Sequence, residues 1–297
     1  MKSAYSIVDE NNFRTVLLMT IFLSLVFGLG YIFSYLMKDN LVFYIFVIFG
    51  VLTNLLSIFW GDKIVLFITG AKEIKRKEFP EIWNLVENLS ITAGLPKTPK
   101  IYIINSNALN AFATGKSPKN SYVVFTKGII EKLDKNELEG VVAHEISHIK
   151  NYDIRVMMIA SILAGIIAIM ADVFLRLSIF NGRNKEKSNG LLFIIGFILA
   201  LLAPIFAQLI TFAISRKREF MADATGALLT RNPDALASAL EKISASSMPL
   251  NTSPATAHLF IVNPFRSRKD FISWLGNLFS THPPVEERIK ALRGMVI

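Results

Sequence analysis

Residues 134–148 read Asp-Lys-Asn-Glu-Leu-Glu-Gly-Val-Val-Ala-His-Glu-Ile-Ser-His and contain the pattern H-E-x-x-H. Asp134, with Glu137 three positions later, is typical of a capping box at the start of a helix. We therefore predict a helix that begins at Asp134 and runs through His148 toward the next apolar segment. Because residues four apart lie on one face of a helix, the imidazoles of His144 and His148 can bind the same metal ion.

Glu145 lies between the two histidines in sequence but is offset from them around the helix. It can approach a water molecule beside the metal without occupying a ligand position. Zinc lowers the pKa of such a water toward about 7, and a neighbouring carboxylate can take its proton during attack on a peptide carbonyl. The motif thus predicts a hydrolytic centre with Glu145 as general base. The chain has four histidines and no cysteine, so its metal ligands must come from His, Asp and Glu.

A catalytic zinc ion needs a third protein ligand and an open position. The extension H-x-x-G-x-x-H is absent after His148, so the third ligand must come from a distant part of the chain. Residues 215–224 read Ser-Arg-Lys-Arg-Glu-Phe-Met-Ala-Asp-Ala, which puts Glu219 and Asp223 on one helical face. We predict that Glu219 binds the metal and that Asp223 fixes the tautomer of a ligand histidine. The alternative is that both acids only pair with the basic residues 216–218.

The rest of the chain is strongly apolar. Of its 297 residues 52% are hydrophobic, and the mean hydropathy of +0.45 is typical of a membrane protein. Segments 16–37 and 41–61 are each long enough to cross ~30 Å of hydrocarbon as a retained helical hairpin. Two more apolar segments, 156–171 and 191–214, follow. We predict four parts: a transmembrane hairpin (1–61), a first catalytic part with the H-E-x-x-H helix (62–155), a second hydrophobic helix pair (156–214) and a second catalytic part (215–297).

The net charge of +9 comes largely from basic residues next to these apolar segments. Lys and Arg flank the apolar runs, as the positive-inside rule requires, and no nucleic-acid motif accompanies them. We therefore predict a lipid bilayer as partner, no nucleic acid, and catalytic parts that face the cytoplasm. The basic loop 176–190 fits poorly if both neighbouring segments cross the membrane, so a shallow hairpin packed on the protein is the alternative.

A substrate site is predicted beside two strand-like runs, 100–104 and 122–126, which a small-residue loop at 105–120 separates. Peptidases of this general design hold the substrate as an added strand on a sheet edge. We take 122–126 as that edge, and an ordinary core strand is the alternative. The candidate substrate-binding residues are Asn110, Tyr122, Val123 and Val124.

Two remaining histidines are candidates to stabilise a tetrahedral intermediate, a task that His, Tyr or Arg often performs. His282 is the first choice because Pro283 and Pro284 fix its backbone near a helix start. His258 is the second. Either side chain can instead have a structural role.

Several motifs together resemble the HtpX-type membrane zinc metalloproteases, which are related to the CaaX prenyl endopeptidases. The resemblance covers nearly the whole chain and rests on the N-terminal hydrophobic hairpin and on residues 110–115, 137–148, 218–223, 281–284 and 287–289. It implies a mainly α integral membrane protein with a zincin-like α+β catalytic domain, a small β-sheet and one zinc ion per subunit. It further implies proteolysis of misfolded or membrane proteins, in quality control and stress response at the inner membrane.

The same resemblance supports the ligand, base and tautomer-fixing roles assigned above to His144, His148, Glu219, Glu145 and Asp223. One position departs from the family pattern. Tyr152 stands where Arg is common, which puts an ion pair with Asp153 in doubt.

Three other functions compete with a zinc endopeptidase. One is a membrane interaction or sensor protein with a structural metal site, although such a site does not need Glu145. Another is a prenyl-protein processing peptidase, whose family has more spans. The third is a transporter, for which Asp172 and Gln208 are the intramembrane candidates.

Overall fold

The computed structural model describes residues 4–181, 216–246, 248, 250, 252–264 and 283–296. Its helices are α1 (Ala4–Met37), α2 (Asn40–Ile68), α3 (Pro80–Thr92), α4 (Lys127–Lys132), α5 (Lys135–Lys150), α6 (Asp153–Asn181), α7 (Arg216–Thr230), α8 (Pro233–Ala245) and α9 (Val285–Arg293). Its strands are β1 (Lys72–Glu73), β2 (Lys100–Ile104), β3 (Ala111–Ser117) and β4 (Asn120–Thr126), and a short 3-10 helix spans Pro254–Leu259. The predicted mainly α fold with a small sheet is confirmed.

The membrane part begins with α1 and α2, which pack as the predicted hairpin. Asp39 caps α2 by accepting a hydrogen bond from the N–H of Leu41. Among the described residues three helical segments are long and apolar enough to cross a membrane: Val8–Met37, Asn40–Ile68 and Asp153–Met170. They confirm three of the predicted segments by length and composition, whereas 191–214 lies outside the described residues.

The sheet corrects the predicted substrate edge. Its strand order is β1-β2-β4-β3, with β2 and β4 parallel and the other pairs antiparallel. The predicted edge, 122–126, belongs to β4, which is paired on both sides and is therefore interior. The two edge strands are β1 and β3, and β3 lies inside the stretch predicted as a loop. Its sequence, Ala-Phe-Ala-Thr-Gly-Lys-Ser, is rich in small residues and gives little strand signal.

The β3–β4 hairpin depends on a glycine. Gly115 has φ +141, and a Cβ there would lie 2.3 Å from the backbone oxygen of Asn120. A larger residue cannot occupy this position without moving the hairpin. Gly115 is one of the small residues of the predicted loop, and it lets the two strands approach each other.

Helix α5 lies at the centre of the catalytic part and packs against α7, α8, β3 and α3. The predicted capping box is present: the Asp134 side chain accepts from the N–H of Glu137, and the Glu137 side chain accepts from the N–H of Asp134, both at 2.9 Å. The helix runs through His148 as predicted, and a break separates it from the third apolar segment. It ends at Lys150, Tyr152 adopts a left-handed φ of 61, and α6 begins at Asp153.

Candidate metal centre

Helices α5 and α7 bring together the three predicted ligands. Donor atoms of His144, His148 and Glu219 all lie within 4.8 Å of one another, and the three side chains are buried. Nε2 of His148 lies 3.2 Å from Nε2 of His144 and 3.5 Å from Oε1 of Glu219. Oε2 of Glu219 lies 3.8 Å from Nε2 of His144.

The close approach of the two helices requires a small residue on α7. A Cβ on Gly226 would lie 3.1 Å from the backbone nitrogen of His144. Glu219 stands seven positions earlier on α7, which is about two helical turns away on the same face. The glycine therefore allows α7 to lie near enough to α5 for Glu219 to reach the histidines.

These distances fit a divalent ion. Ligands about 2.0–2.1 Å from a tetrahedral zinc ion are separated from one another by roughly 3.3 Å. The separation of 3.2 Å between the two Nε2 atoms matches this value, and the two His–Glu separations exceed it by a few tenths of an ångström. Two imidazoles and a carboxylate also form the donor set of a catalytic zinc centre.

The Glu145 side chain is buried beside this cluster. Burial raises its pKa to about 7, and the negative charge of Glu219 adds to this increase while His148 opposes it. A backbone hydrogen bond from Ala113, on the edge strand β3, stabilises the carboxylate. A carboxyl group whose pKa lies near neutrality is suited to accept and return a proton.

Asp223 lies one helical turn after Glu219 and contacts the first histidine. Its Oδ1 is 2.9 Å from Nδ1 of His144. Because an ionised carboxylate can only accept, Nδ1 carries the proton and Nε2 is left with its lone pair toward the cluster. Burial lowers the pKa of His144 to about 4, which favours the neutral imidazole that a metal requires. This contact corresponds to the tautomer-fixing role predicted for Asp223.

Arg288 on α9 is a site residue that the sequence analysis missed. It is fully buried, and its guanidinium donates two hydrogen bonds to Asp223 and one to the carbonyl of Ile261, at 2.9 Å. Burial opposes ionisation of Asp223, but the charge of Arg288 outweighs this effect and holds the pKa of Asp223 at about 2. Residues 287–289 belong to the family resemblance, but their spacing gives no role for the arginine.

Asp153 supports the second histidine in the same way. Its Oδ2 lies 3.0 Å from Nδ1 of His148. Burial lowers the pKa of His148, but the hydrogen bond to Asp153 and the charge of Glu219 prevail and raise it to about 9.

The sequence put an ion pair at Asp153 in doubt, because Tyr152 replaces the usual arginine. Asp153 nevertheless has such a partner, since Arg218 from α7 forms the pair. The ring centroid of Tyr152 instead lies 5.4 Å from the guanidinium carbon of Arg155, in a cation–π contact.

The two candidate oxyanion histidines have different outcomes. His282 lies outside the described residues. His258 is buried against α6, and its Nε2 lies 3.1 Å from both Ser161 Oγ and the carbonyl oxygen of Met157. These contacts favour the structural alternative for His258.

The predicted substrate-binding side chains are directed to internal contacts. Asn110 is buried and donates to the carbonyl of Val262 at 2.8 Å. Tyr122 donates to Asp62 at 3.1 Å, while Val123 and Val124 are fully buried. The strand backbone that approaches Glu145 is that of β3, at Ala113.

Comparison with known proteins agrees with this geometry. The model of peptidase family M48 matches residues 76–296. A protease HtpX homolog of Dictyoglomus thermophilum is 48% identical over 83% of this chain and 82% of its own length. Another, from Thermococcus kodakarensis, is 44% identical over 94% of both chains. The crystal structure of S. mikatae Ste24p is similar with a TM-score of 0.50 and 22% identity, over 92% of this chain and 62% of Ste24p, which supports the fold alone.

Proposed function

Because the chain belongs to peptidase family M48 and is a membrane-bound metalloprotease, we propose that it is a zinc-dependent endopeptidase. We assign it misfolded and membrane proteins as substrates, cleaved at the cytoplasmic face of the inner membrane. The observation that carries the proposal is the convergence of His144, His148 and Glu219 within 4.8 Å of one another.

Zinc is the metal that this donor set suits best, because imidazole nitrogens with one carboxylate favour a borderline-soft ion. His144, His148 and Glu219 would hold it. When bound, zinc supplies Lewis acidity that polarises the scissile carbonyl and lowers the pKa of a water molecule. A structural metal site would have no use for a buried carboxyl group next to its ligands, so Glu145 favours the catalytic alternative.

Side chains of the protein then transfer the proton and hold the ligands in place. Glu145 accepts a proton from the attacking water and delivers it to the leaving amine. The N–H of Ala113 orients its carboxylate. Asp223 and Asp153 hold the two imidazoles by their Nδ1 atoms, so that both Nε2 atoms stay directed at the metal position.

Strand β3 supplies the substrate edge in this proposal. The carbonyl oxygen of Ala111 already accepts a hydrogen bond from the N–H of Ile261, so an added peptide would pair with β3 beyond Ala111, where the backbone at Ala113 reaches Glu145. Backbone groups of β3 that face away from β4 therefore lie beside the base. An extended peptide added to this edge would place a peptide bond within reach of Glu145.

Charge supports the cytoplasmic orientation. The segment that follows α2 carries Lys72, Lys75, Arg76 and Lys77, whereas the turn between α1 and α2 carries only Lys38 as a basic residue. Basic residues concentrate on the cytoplasmic side of membrane proteins. The catalytic part therefore faces the cytoplasm in this proposal.

The proposal is tested with the full chain in detergent. Metal content is measured, and cleavage of casein is followed with and without a chelator. Glu145→Gln should retain zinc and lose cleavage. Glu139→Gln is the matched control, because Glu139 lies on the same helix but lines a groove beside Leu85 of α3. A Glu145→Gln variant that cleaves casein as well as the wild type would refute the assigned base.

A further inference from the structure

The first membrane helix reaches the metal centre through one side chain. Asn11 on α1 is only 2% exposed. Its Nδ2 donates to Oδ1 of Asp153 at 2.8 Å and to the carbonyl of Asn151 at 2.7 Å, and its Oδ1 accepts from Arg218. Both ends of this amide are therefore used, by partners about 140 and 207 positions away in the chain.

All three partners of Asn11 adjoin the predicted ligands. Asp153 holds His148 through Nδ1. Asn151 is the C-cap of α5, immediately before the left-handed residue that turns the chain so that Asp153 can face back toward His148. Arg218 precedes the ligand Glu219 on α7 and also pairs with Asp153. Asn11 thus contacts both the residue that holds His148 and the residue that precedes Glu219.

We propose that Asn11 is a positioning residue for His148, so that helix α1 forms part of the catalytic centre as well as the membrane anchor. The inference rests on the proposed function, because it takes His148 as a metal ligand. Asp153 offers Oδ2 to His148 and Oδ1 to Asn11, and the Asn11 amide acts together with Arg218 to hold that carboxylate against rotation. Without Asn11 the carboxylate keeps only Arg218 as its partner on Oδ1, so the orientation of the His148 imidazole is less firmly fixed and it binds metal less tightly.

The competing explanation is that Asn11 merely joins two membrane helices, as polar side chains often do. The next residue provides a control for this explanation. Asn12 also ties α1 to α6, because its Oδ1 accepts from Arg155 at 2.9 Å. Arg155 in turn donates to the carbonyl of Lys116 at 2.7 Å. Within the described part of the chain, the Asn12 side chain makes no hydrogen bond to Asp153.

The experiment compares Asn11→Ala and Asn12→Ala in the full chain. Zinc affinity is measured by competition with a chromophoric chelator, the cobalt-substituted protein is examined for its visible absorption spectrum, and thermal unfolding is recorded without metal. We expect Asn11→Ala to weaken zinc binding about tenfold, the low end of the range for such outer partners, and to alter the cobalt spectrum. Asn12→Ala should change neither. Equal effects of the two variants, or unchanged zinc affinity in Asn11→Ala, would overturn the inference.

Two further variants cover the case in which Asn11→Ala does not fold. Asn11→Asp keeps the volume and the acceptor for Arg218 but replaces the donor to Asp153 with a carboxylate, so it should weaken zinc binding at least as much. In an Asp153→Asn background the Asn11→Asp effect should largely disappear, whereas additive effects would contradict the proposed connection. Wild-type protein that binds no zinc would instead refute the metal site itself, together with this inference.

Discussion

Arg288 binds the carboxylate of Asp223 through two hydrogen bonds, at 2.8 Å from Nε and 2.7 Å from Nη2. Both side chains are buried, and Nη1 of Arg288 also lies 3.8 Å from Oε2 of Glu219. Asp223 in turn holds His144. The last described helix, α9, therefore fixes one ligand through a buried ion pair and places a positive charge beside another.

This pair predicts the result of replacing Arg288 with Met. The variant leaves the Asp223 carboxylate buried without its charged partner, which should destabilise the protein by about 3–5 kcal/mol and lower its zinc content. Arg288→Lys should restore only part of the stability and zinc content, since lysine cannot form both hydrogen bonds to Asp223. Thermal unfolding and metal analysis test these expectations.

The control for Arg288 lies on the same helix. Arg293 pairs with Glu241 at 2.9 Å, and both side chains are about half exposed. Arg293→Met should therefore cost about 0–1 kcal/mol and leave zinc content unchanged. If both arginine variants behaved alike, burial of the Arg288–Asp223 pair would not be what supports the site.

Gly226 predicts a second, steric effect. Ala at this position would place a Cβ 3.1 Å from the backbone nitrogen of His144, so α7 must move away from α5 by a few tenths of an ångström. Glu219 moves with α7, and zinc affinity and casein cleavage should both fall. Gly165→Ala is the control, because its Cβ would meet Ala255 at an ordinary 3.6 Å. Zinc affinity equal in the two variants would contradict the steric argument.

How far the sequence predicts this site depends on whether a contact is local. The capping box and the i,i+4 pairs of α5 and α7 involve neighbours along one helix, so spacing alone was enough to predict them. The Arg288–Asp223 and Asn11–Arg218 contacts join residues 65 and 207 positions apart. Such pairs follow from how the helices pack, and nothing in the local pattern of Asn11 indicates its partners.

The sheet shows the same distinction. Strand β4 was predicted from its β-branched and aromatic residues, but its interior position depends on pairing with β2 on one side and β3 on the other. Helix α5 runs through His148 as predicted, but the break before α6 depends on the left-handed conformation of Tyr152, a residue type that seldom adopts it. That break places Asp153 beside His148.

Glu137 predicts how stability depends on pH. It accepts hydrogen bonds from Lys242 at 2.7 Å and Ser238 at 2.6 Å. Burial raises its pKa, but these donors prevail and hold the pKa below the ordinary value of 4.5. A carboxyl group whose pKa is lower in the folded state stabilises the protein above pH 4.5, and this contribution is lost as the pH falls through the folded pKa.

Glu137→Gln should therefore be less stable than the wild type near neutral pH, by roughly 1 kcal/mol for a damaged cap. The difference should shrink as the pH falls below 4.5, because the wild-type carboxylate then becomes protonated and is neutral like the glutamine of the variant. Denaturant unfolding across this range measures the effect. Glu131→Gln, which alters an exposed pair with Lys127, should show no such convergence. A constant difference at all pH values would contradict the assigned ionisation.

Strand β3 gives the last prediction, since its edge backbone meets the proposed base. Ala113→Pro removes the N–H that hydrogen-bonds Glu145, yet it should leave zinc content intact. Cleavage of casein should fall at least tenfold, a part of the roughly 10²–10⁴-fold that a positioned base contributes. Ala113→Gly keeps the N–H and should retain most activity. Because the two variants differ in this donor and in backbone freedom, equal loss in both would mean that strand conformation, rather than the Ala113–Glu145 hydrogen bond, supports cleavage.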